Sequence, residues 1–276
     1  MKAELSVNNP LVTIVIPAYN QAEYLPACID HCLFQTYPNI EIIIVDGGST
    51  DSTKFFLDGL QKKIEETVIC PVIRMGNNKE IIREELTVYP SNREIITLKY
   101  DNDIGATRTY NEGLKRASGK YCTYIAGDDI PHPHMIENMV DVLENENCDF
   151  VYSDMNLVND KGEIVRQMRL PDYDFKTCFA DWYHLGVSHL YKTKWHKIAG
   201  LMDEENYKSA NDYDQYLRFA MNGAVFKHLP KILYSVRYHD KNRKTGQHTS
   251  ENYENLIEES KKCAVRAREW LKEKRA

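Results

Sequence analysis

The sequence predicts an α/β fold: a mostly parallel central sheet with helices against it, and a smaller mixed, antiparallel region in the second half. Three observations carry this. Leu11 to Ile16 (LVTIVI) and Ile40 to Val45 (IEIIIV) are continuous β-branched runs, the pattern of strands buried on both faces of a parallel sheet. Between them Ala22 to Phe34 carries Leu25, Cys28, Ile29, Cys32 and Leu33 at helical spacing, completing a right-handed βαβ unit. Beyond residue 150 the pattern changes, and Asn159-Asp160-Lys161-Gly162 between two extended runs marks a hairpin.

The remaining elements follow in order. The second strand ends in Asp46-Gly47-Gly48-Ser49-Thr50-Asp51, and a polar helix runs from about Ser52 to Ile64. Residues 65–92 admit two readings: Val68 to Ile73 and Ile81 to Leu86 as a strand and a helix, or as an irregular excursion with its own hairpin. Ile95 to Lys99 reads as a returning strand, and Gly105 to Ala117 as a helix stopped by Ser118-Gly119. Lys120 to Ile130 (KYCTYIAGDDI) is a short buried strand ending in two adjacent carboxylates, Asp128 and Asp129. A helix over Met135 to Leu143 and a strand over Asp149 to Ser153 come next. With no internal repeat and no low-complexity linker, one continuous domain over residues 1–240 is expected. Its halves are about 11–130 and 131–240, with a flexible loop and C-terminal helix over 241–276.

Composition narrows the class. The chain has 276 residues, 42% hydrophobic and 28% charged, enough to bury a sizeable core. A net charge of −6 argues against a nucleic-acid partner. No apolar run has transmembrane length, and residues 1–10 lack the pattern of a signal peptide. The seven cysteines, odd in number and without a zinc-type pair, suit a reducing cytoplasm.

Ligands of open α/β sheets bind beyond the carboxyl ends of the strands. Three such ends carry suitable groups: Pro17-Ala18-Tyr19-Asn20, Asp46 to Asp51, and Gly127 to Asp129. Adjacent carboxylates at a buried strand end repel and pay for desolvation, so something must offset them. Two readings stand for Asp128 and Asp129: caps of the following helix, or ligands of a hard divalent cation shared with a phosphate. A dinucleotide dehydrogenase is excluded, because PAYN after the first strand has no glycine-rich loop.

Four stretches resemble the inverting nucleotide-sugar glycosyltransferases of family 2, whose fold is the Rossmann-like GT-A arrangement. They are TIVIPAYN (Thr13 to Asn20), EIIIVDGGSTDST (Glu41 to Thr53), DIGATRTYNEGLKRASGKY (Asp103 to Tyr121) and GDD, with NDYDQYLRFAMNG (Asn211 to Gly223) further on. The resemblance spans roughly residues 11 to 240. It implies that Pro17, Ala18 and Tyr19 form the floor under a nucleotide base, with Asn20 beside them, and that Asp46 accepts a hydrogen bond from the base, which favours uracil. It places Asp103 and Arg108 near the nucleotide and diphosphate, although many relatives carry an acid where Arg108 stands. Asp128 lies near the ribose, and Asp129 and His239 bear on a Mn²⁺ or Mg²⁺ ion. Gly127 stands where the family has the first acid of its Asp-x-Asp triplet, leaving fewer protein carboxylates for the metal.

By the same resemblance Asp212 aligns with the general base, while the bare sequence reads it as a helix cap, with Asp214 the neighbour most easily confused with it. Trp182, Tyr183 and His184 fall on the acceptor side. The activity implied is metal-dependent inverting transfer from a UDP-sugar to a hydroxyl of a glycan or lipid-linked saccharide, in cell-surface polysaccharide synthesis. The alternative is a non-catalytic nucleotide-sugar-binding module of the same fold. A sugar-1-phosphate nucleotidyltransferase lacks support, because the first strand is not followed by a glycine-rich, arginine-containing loop. The C-terminal stripe Tyr253, Leu256, Ile257, Ala264, Ala267 and Leu271 reads as a helix docking on the domain, its basic last turns also suiting peripheral membrane contact.

Overall fold

The computed structural model describes residues 9–65, 69–75, 81–87, 89–90, 92–238 and 250–274. The chain opens with β1 (Val12–Ala18), α1 (Leu25–Leu33) and β2 (Ile40–Asp46), the expected βαβ unit. Every residue of both strands is buried, and each fully buried aliphatic side chain contributes about 1.5–3 kcal/mol. They pair in parallel from Val12 opposite Ile40 to Ala18 opposite Asp46, so these last two residues finish side by side. Helix α2 (Thr53–Glu65) leads to β3 (Ile69–Met75) and β4 (Ile81–Thr87), an antiparallel hairpin that forms a sheet of its own. Of the two readings open for this stretch, the hairpin is the one found. β5 (Arg93–Lys99) then returns parallel to β2, anchored where the Arg93 guanidinium donates to the carbonyls of Leu33 (3.1 Å) and Gln35 (2.7 Å). α3 (Ala106–Leu114) and β6 (Tyr121–Tyr124) complete the first half, with β6 parallel to β1.

The second half is mixed. It comprises β7 (Ile130–Pro131), α4 (Met135–Asn145), β8 (Phe150–Val158), β9 (Ile164–Met168), a π-helical turn (Lys176–Asp181) and β10 (His189–Lys192). α5 (Trp195–Ala199), α6 (Asn211–Met221), β11 (Phe226–Arg237) and α7 (Ser250–Glu273) follow. β10 runs antiparallel between β6 and β8 and joins both halves into one nine-stranded sheet, ordered β5-β2-β1-β6-β10-β8-β11-β7 with β9 on β8. The runs Asp149 to Ser153 and Met155 to Val158 are one strand, β8, because the acid between them is satisfied. Buried Asp154 accepts from the Leu170 N–H (2.9 Å) and Arg169 (2.9 Å) and lies 2.9 Å from His228 Nε2. β11 crosses Pro230 with register shifts against β8 between Leu229 and Tyr234, since proline has no N–H to pair.

Of the expected C-terminal stripe, Ala267 is buried and Leu256 and Leu271 pack against the core. Tyr253 and Ile257 are exposed, while Glu259, Cys263 and Ala267 are buried, with Cys263 and Ala267 inside the same core as β1 and β6. Two of its basic residues serve the fold: Arg268 donates to the Ala180 carbonyl (2.6 Å) and Arg266 to Asp214 (2.5 Å). Among the described residues no helix is long and apolar enough to cross a membrane.

Candidate active site

The carboxyl ends of β1 and β6 open onto a cavity of about 490 Å³, and Asp46 at the end of β2 is not among the residues that line it. Pro17, Ala18 and Tyr19 line it where β1 ends. Asn20 turns the chain away at φ 52°, a backbone region that asparagine tolerates better than most residues. Its Oδ1 accepts the N–H groups of Thr50 (2.7 Å) and Asp51 (3.3 Å), so Asn20 ties the β1 turn to the β2 loop and does not line the cavity. Asp46 is fully buried beside Ala18; its Oδ1 accepts the Ser49 N–H (3.0 Å), and its Oδ2 has no partner among the described residues. The turn after β2 therefore occupies one oxygen of Asp46 only. Gly48, at φ 96°, lies against the backbone of Asn102, where a side chain would not fit. That contact brings the 101–105 loop over the β2 end, and Asp103, which accepts the Gly105 N–H (2.9 Å), lines the cavity. Arg108 is exposed on α3 and is not brought to it.

Asp128 and Asp129 are both buried and both line the cavity. The helix-cap reading fails, because α4 begins only at Met135 and takes no side-chain cap. Asp129 is instead held by β11: Oδ2 accepts the Tyr234 hydroxyl (3.0 Å) and Oδ1 the Arg237 N–H (2.9 Å). Burial beside Asp129 drives the Tyr234 phenol well above its ordinary value, so it stays a donor. The Arg237 guanidinium donates to the carbonyls of Asp128 (3.0 Å) and Asp160 (2.9 Å) and lies 5.0 Å over the Tyr24 ring. Neither Tyr234 nor Arg237 carries any local sequence signal pointing to Asp129. A Cβ on Gly127 would meet Gln21 Oε1, so glutamine occupies the space that the family's first acid would need.

Asp212 sits in the first turn of α6 and lines the same cavity. Its Oδ1 accepts the Tyr213 N–H (2.7 Å) and its Oδ2 the Tyr183 hydroxyl (3.0 Å). Burial pushes its carboxyl above the ordinary carboxylate range, against these hydrogen bonds. The helix-cap reading of Asp212 is not borne out: the N-cap of α6 is Ala210, with no side-chain cap, and Asp212 is a first-turn residue that faces the cavity. Asp214 is distinct: it is buried, with Arg218 on one oxygen (2.9 Å) and Arg266 on the other (2.5 Å).

Tyr183, expected on the acceptor side, lines the cavity but is already engaged. One face is taken by Tyr213, with ring centroids 4.2 Å apart and planes at 6°, and its hydroxyl is committed to Asp212. Trp182 lines the cavity at 57% exposure, and buried His184 beside it donates from Nδ1 to the Trp182 carbonyl (2.9 Å). His184 Nε2 has no partner among the described residues, and burial lowers its pKa, leaving the ring neutral. Tyr110 and Tyr124, edge to face at 4.8 Å, also line the cavity and were missed, because they read as ordinary core positions. His239 lies outside the described residues.

Two neighbouring carboxylates are oxygen donors of the kind that Mg²⁺ and Mn²⁺ take. The hydrogen bonds from Tyr234 and the Arg237 N–H fix the orientation of the Asp129 carboxylate at the cavity wall. The residues fit a cation shared with a substrate's phosphates. Among the described residues no group of three or more His, Cys, Asp or Glu is arranged to hold one alone.

Comparison with known proteins bears on the fold and the family. An uncharacterized glycosyltransferase of Rickettsia typhi is 29% identical over 260 residues, 90% of this chain and 70% of that one. The crystal structure of Staphylococcus aureus TarS 1-349 in complex with UDP-GlcNAc superposes with a TM-score of 0.65 at 20% identity, over 92% of this chain and 65% of that one. The mannosyltransferase PcManGT of Pyrobaculum calidifontis, solved with GDP-Man and Mn²⁺, gives 0.60 at 17% identity, over 86% of this chain and 59% of that one. This chain therefore spans about two thirds or less of those solved chains. The structural likenesses show the fold, the GT-A arrangement that the resemblance implied. The sequence profile described as glycosyl transferase family 2 matches residues 13–83 and 77–203, from β1 through Asp128 and Asp129 to beyond α5. On that match, which covers well over half of its length, the chain belongs to glycosyl transferase family 2.

Proposed function

We propose that this protein transfers a sugar from a UDP-sugar to a hydroxyl of a glycan or lipid-linked saccharide by a single inverting displacement. The observation that carries the reading is one cavity lined by the Pro17–Tyr19 floor, the Asp128–Asp129 pair and Asp212. The base lies on the floor, with Asp46 Oδ2 a buried acceptor that a uracil ring N–H satisfies. Asp212, aimed by the Tyr213 N–H and the Tyr183 hydroxyl, takes the proton of the acceptor hydroxyl as it attacks the anomeric carbon. The bond to the nucleoside diphosphate breaks on the opposite face through an oxocarbenium-like state, so the anomeric centre inverts. Asp129 with Asp128 would hold Mn²⁺ or Mg²⁺, which supplies positive charge to the leaving diphosphate when bound. Exposed Trp182 gives an acceptor sugar a stacking face, and His184 Nε2 a hydrogen-bonding group.

Calorimetry with UDP, GDP and CDP, with and without Mn²⁺, tests the donor side. UDP is expected to bind best, and Asp46→Asn to weaken it about tenfold, the scale of one hydrogen bond to a charged group. A preference for GDP or CDP would keep the fold and change the donor, while no binding of any nucleotide would overturn the reading.

A further inference from the structure

Three successive backbone N–H groups precede α6: those of Lys208, Ser209 and Ala210. A helix cannot satisfy such groups itself, and Ala210, at its N-cap, has no side chain to do so. Glu259 of α7 does it from 49 residues away. Its Oε2 accepts the N–H groups of Ser209 (2.8 Å) and Ala210 (2.8 Å), and both its oxygens lie within reach of Lys208 N–H (3.1 and 3.2 Å). The carboxylate is buried, and it also places negative charge at the positive end of the helix. Asp212 stands two residues beyond this clamp, and Lys208, Ser209 and Ala210 themselves line the cavity. Further along α7, Arg266 grips Asp214 (2.5 Å), so α6 is held at two points by the same helix.

We propose that Glu259 is a positioning residue for Asp212, fixing the turn that aims the base at the acceptor hydroxyl. This rests on the transferase reading above. The donor floor is built at the ends of β1 and β6, whereas Glu259 binds the turn that leads into Asp212, so the effect falls on turnover rather than on nucleotide binding.

The probe is UDP release by the full chain from whichever of UDP-GlcNAc, UDP-glucose and UDP-galactose it turns over, beside UDP calorimetry. Glu259→Ala is expected to lower kcat about tenfold or more, the scale of a misplaced catalytic group, while donor KM and UDP Kd stay near wild type. Glu259→Gln, whose one carbonyl oxygen still accepts the clustered N–H groups, restores most of kcat. Arg268→Ala, which frees α7 from the Ala180 carbonyl, serves as a structural control, lowering Tm without that fall in kcat. Wild-type kcat in Glu259→Ala, or an equal loss in the alanine, glutamine and Arg268 variants, would overturn the proposal. Should Glu259→Ala not fold, Glu259→Asp replaces it: its carboxylate is one methylene short, and an undiminished kcat overturns the proposal equally. Asp212→Asn separates the two levels. If it keeps turnover, or if wild type releases no UDP, the transferase reading fails; if it is inactive while Glu259→Ala is fully active, only the role of Glu259 fails.

Discussion

Asp212 shows how one residue serves structure and chemistry together. Its carboxyl is raised by burial, and as a base it must be ionised. Activity is therefore lost as pH falls through that raised value, at higher pH than an ordinary carboxylate would dictate. The same shift bears on stability. A carboxyl with a folded pKa above its unfolded one contributes stability below the unfolded value and loses it as pH rises through the folded one. Asp212→Asn is accordingly expected to cut transfer at least about a hundredfold, to leave UDP binding intact, and to raise Tm at pH 7 but not in acid. A lowered Tm at pH 7, with transfer retained, would contradict both assignments. At this scale the sequence made Asp46, Asp129 and Asp212 legible through their motifs. It did not reveal Tyr234, Arg237 or Glu259, because a hydrogen-bond partner 49 to 108 residues distant leaves no local pattern.

Elements were legible where the signal is local. The Asn159 turn is one case: Asn159 Oδ1 accepts the N–H groups of Lys161 (3.0 Å) and Glu163 (2.9 Å), and Gly162 takes φ 80°. The β3–β4 hairpin was ambiguous because Ile81 to Leu86 is equally a helix pattern, and pairing alone decides it. The docking of α3 on β1 rests on Gly113, where an added Cβ would meet Val15 and Val45 inside the core. Gly113→Ala should cost about 1–3 kcal/mol by overpacking, read by denaturant melts. Gly127→Ala meets the mobile end of Gln21 instead and should cost much less. Equal losses in the two would refute this account of the α3 packing.

At the scale of the whole molecule, packing histidines into the fold has a cost, at His189 on β10 in the sheet and at partly buried His196 on α5. His189, fully buried and bonded to the Tyr216 hydroxyl (2.8 Å), has its pKa lowered by burial to about 3, and His196 likewise to about 4. The unfolded chain takes up these protons near 6.5 and the folded chain does not, so stability is lost as pH falls below that value. Each histidine should cost about 2 kcal/mol between pH 7 and pH 5; stability that holds constant over that range would show that neither stays neutral in the fold.

The sequence by itself determined the βαβ start, the hairpin after β8 and the family motifs, since hydrophobic period and turn chemistry act over a few residues. Only the tertiary structure decided that β10 fuses the two halves, that β11 holds Asp129, and that α7 clamps the turn before Asp212. Those contacts join segments far apart in the chain, and no local preference encodes which distant group will arrive to satisfy a buried carboxylate or a helix end.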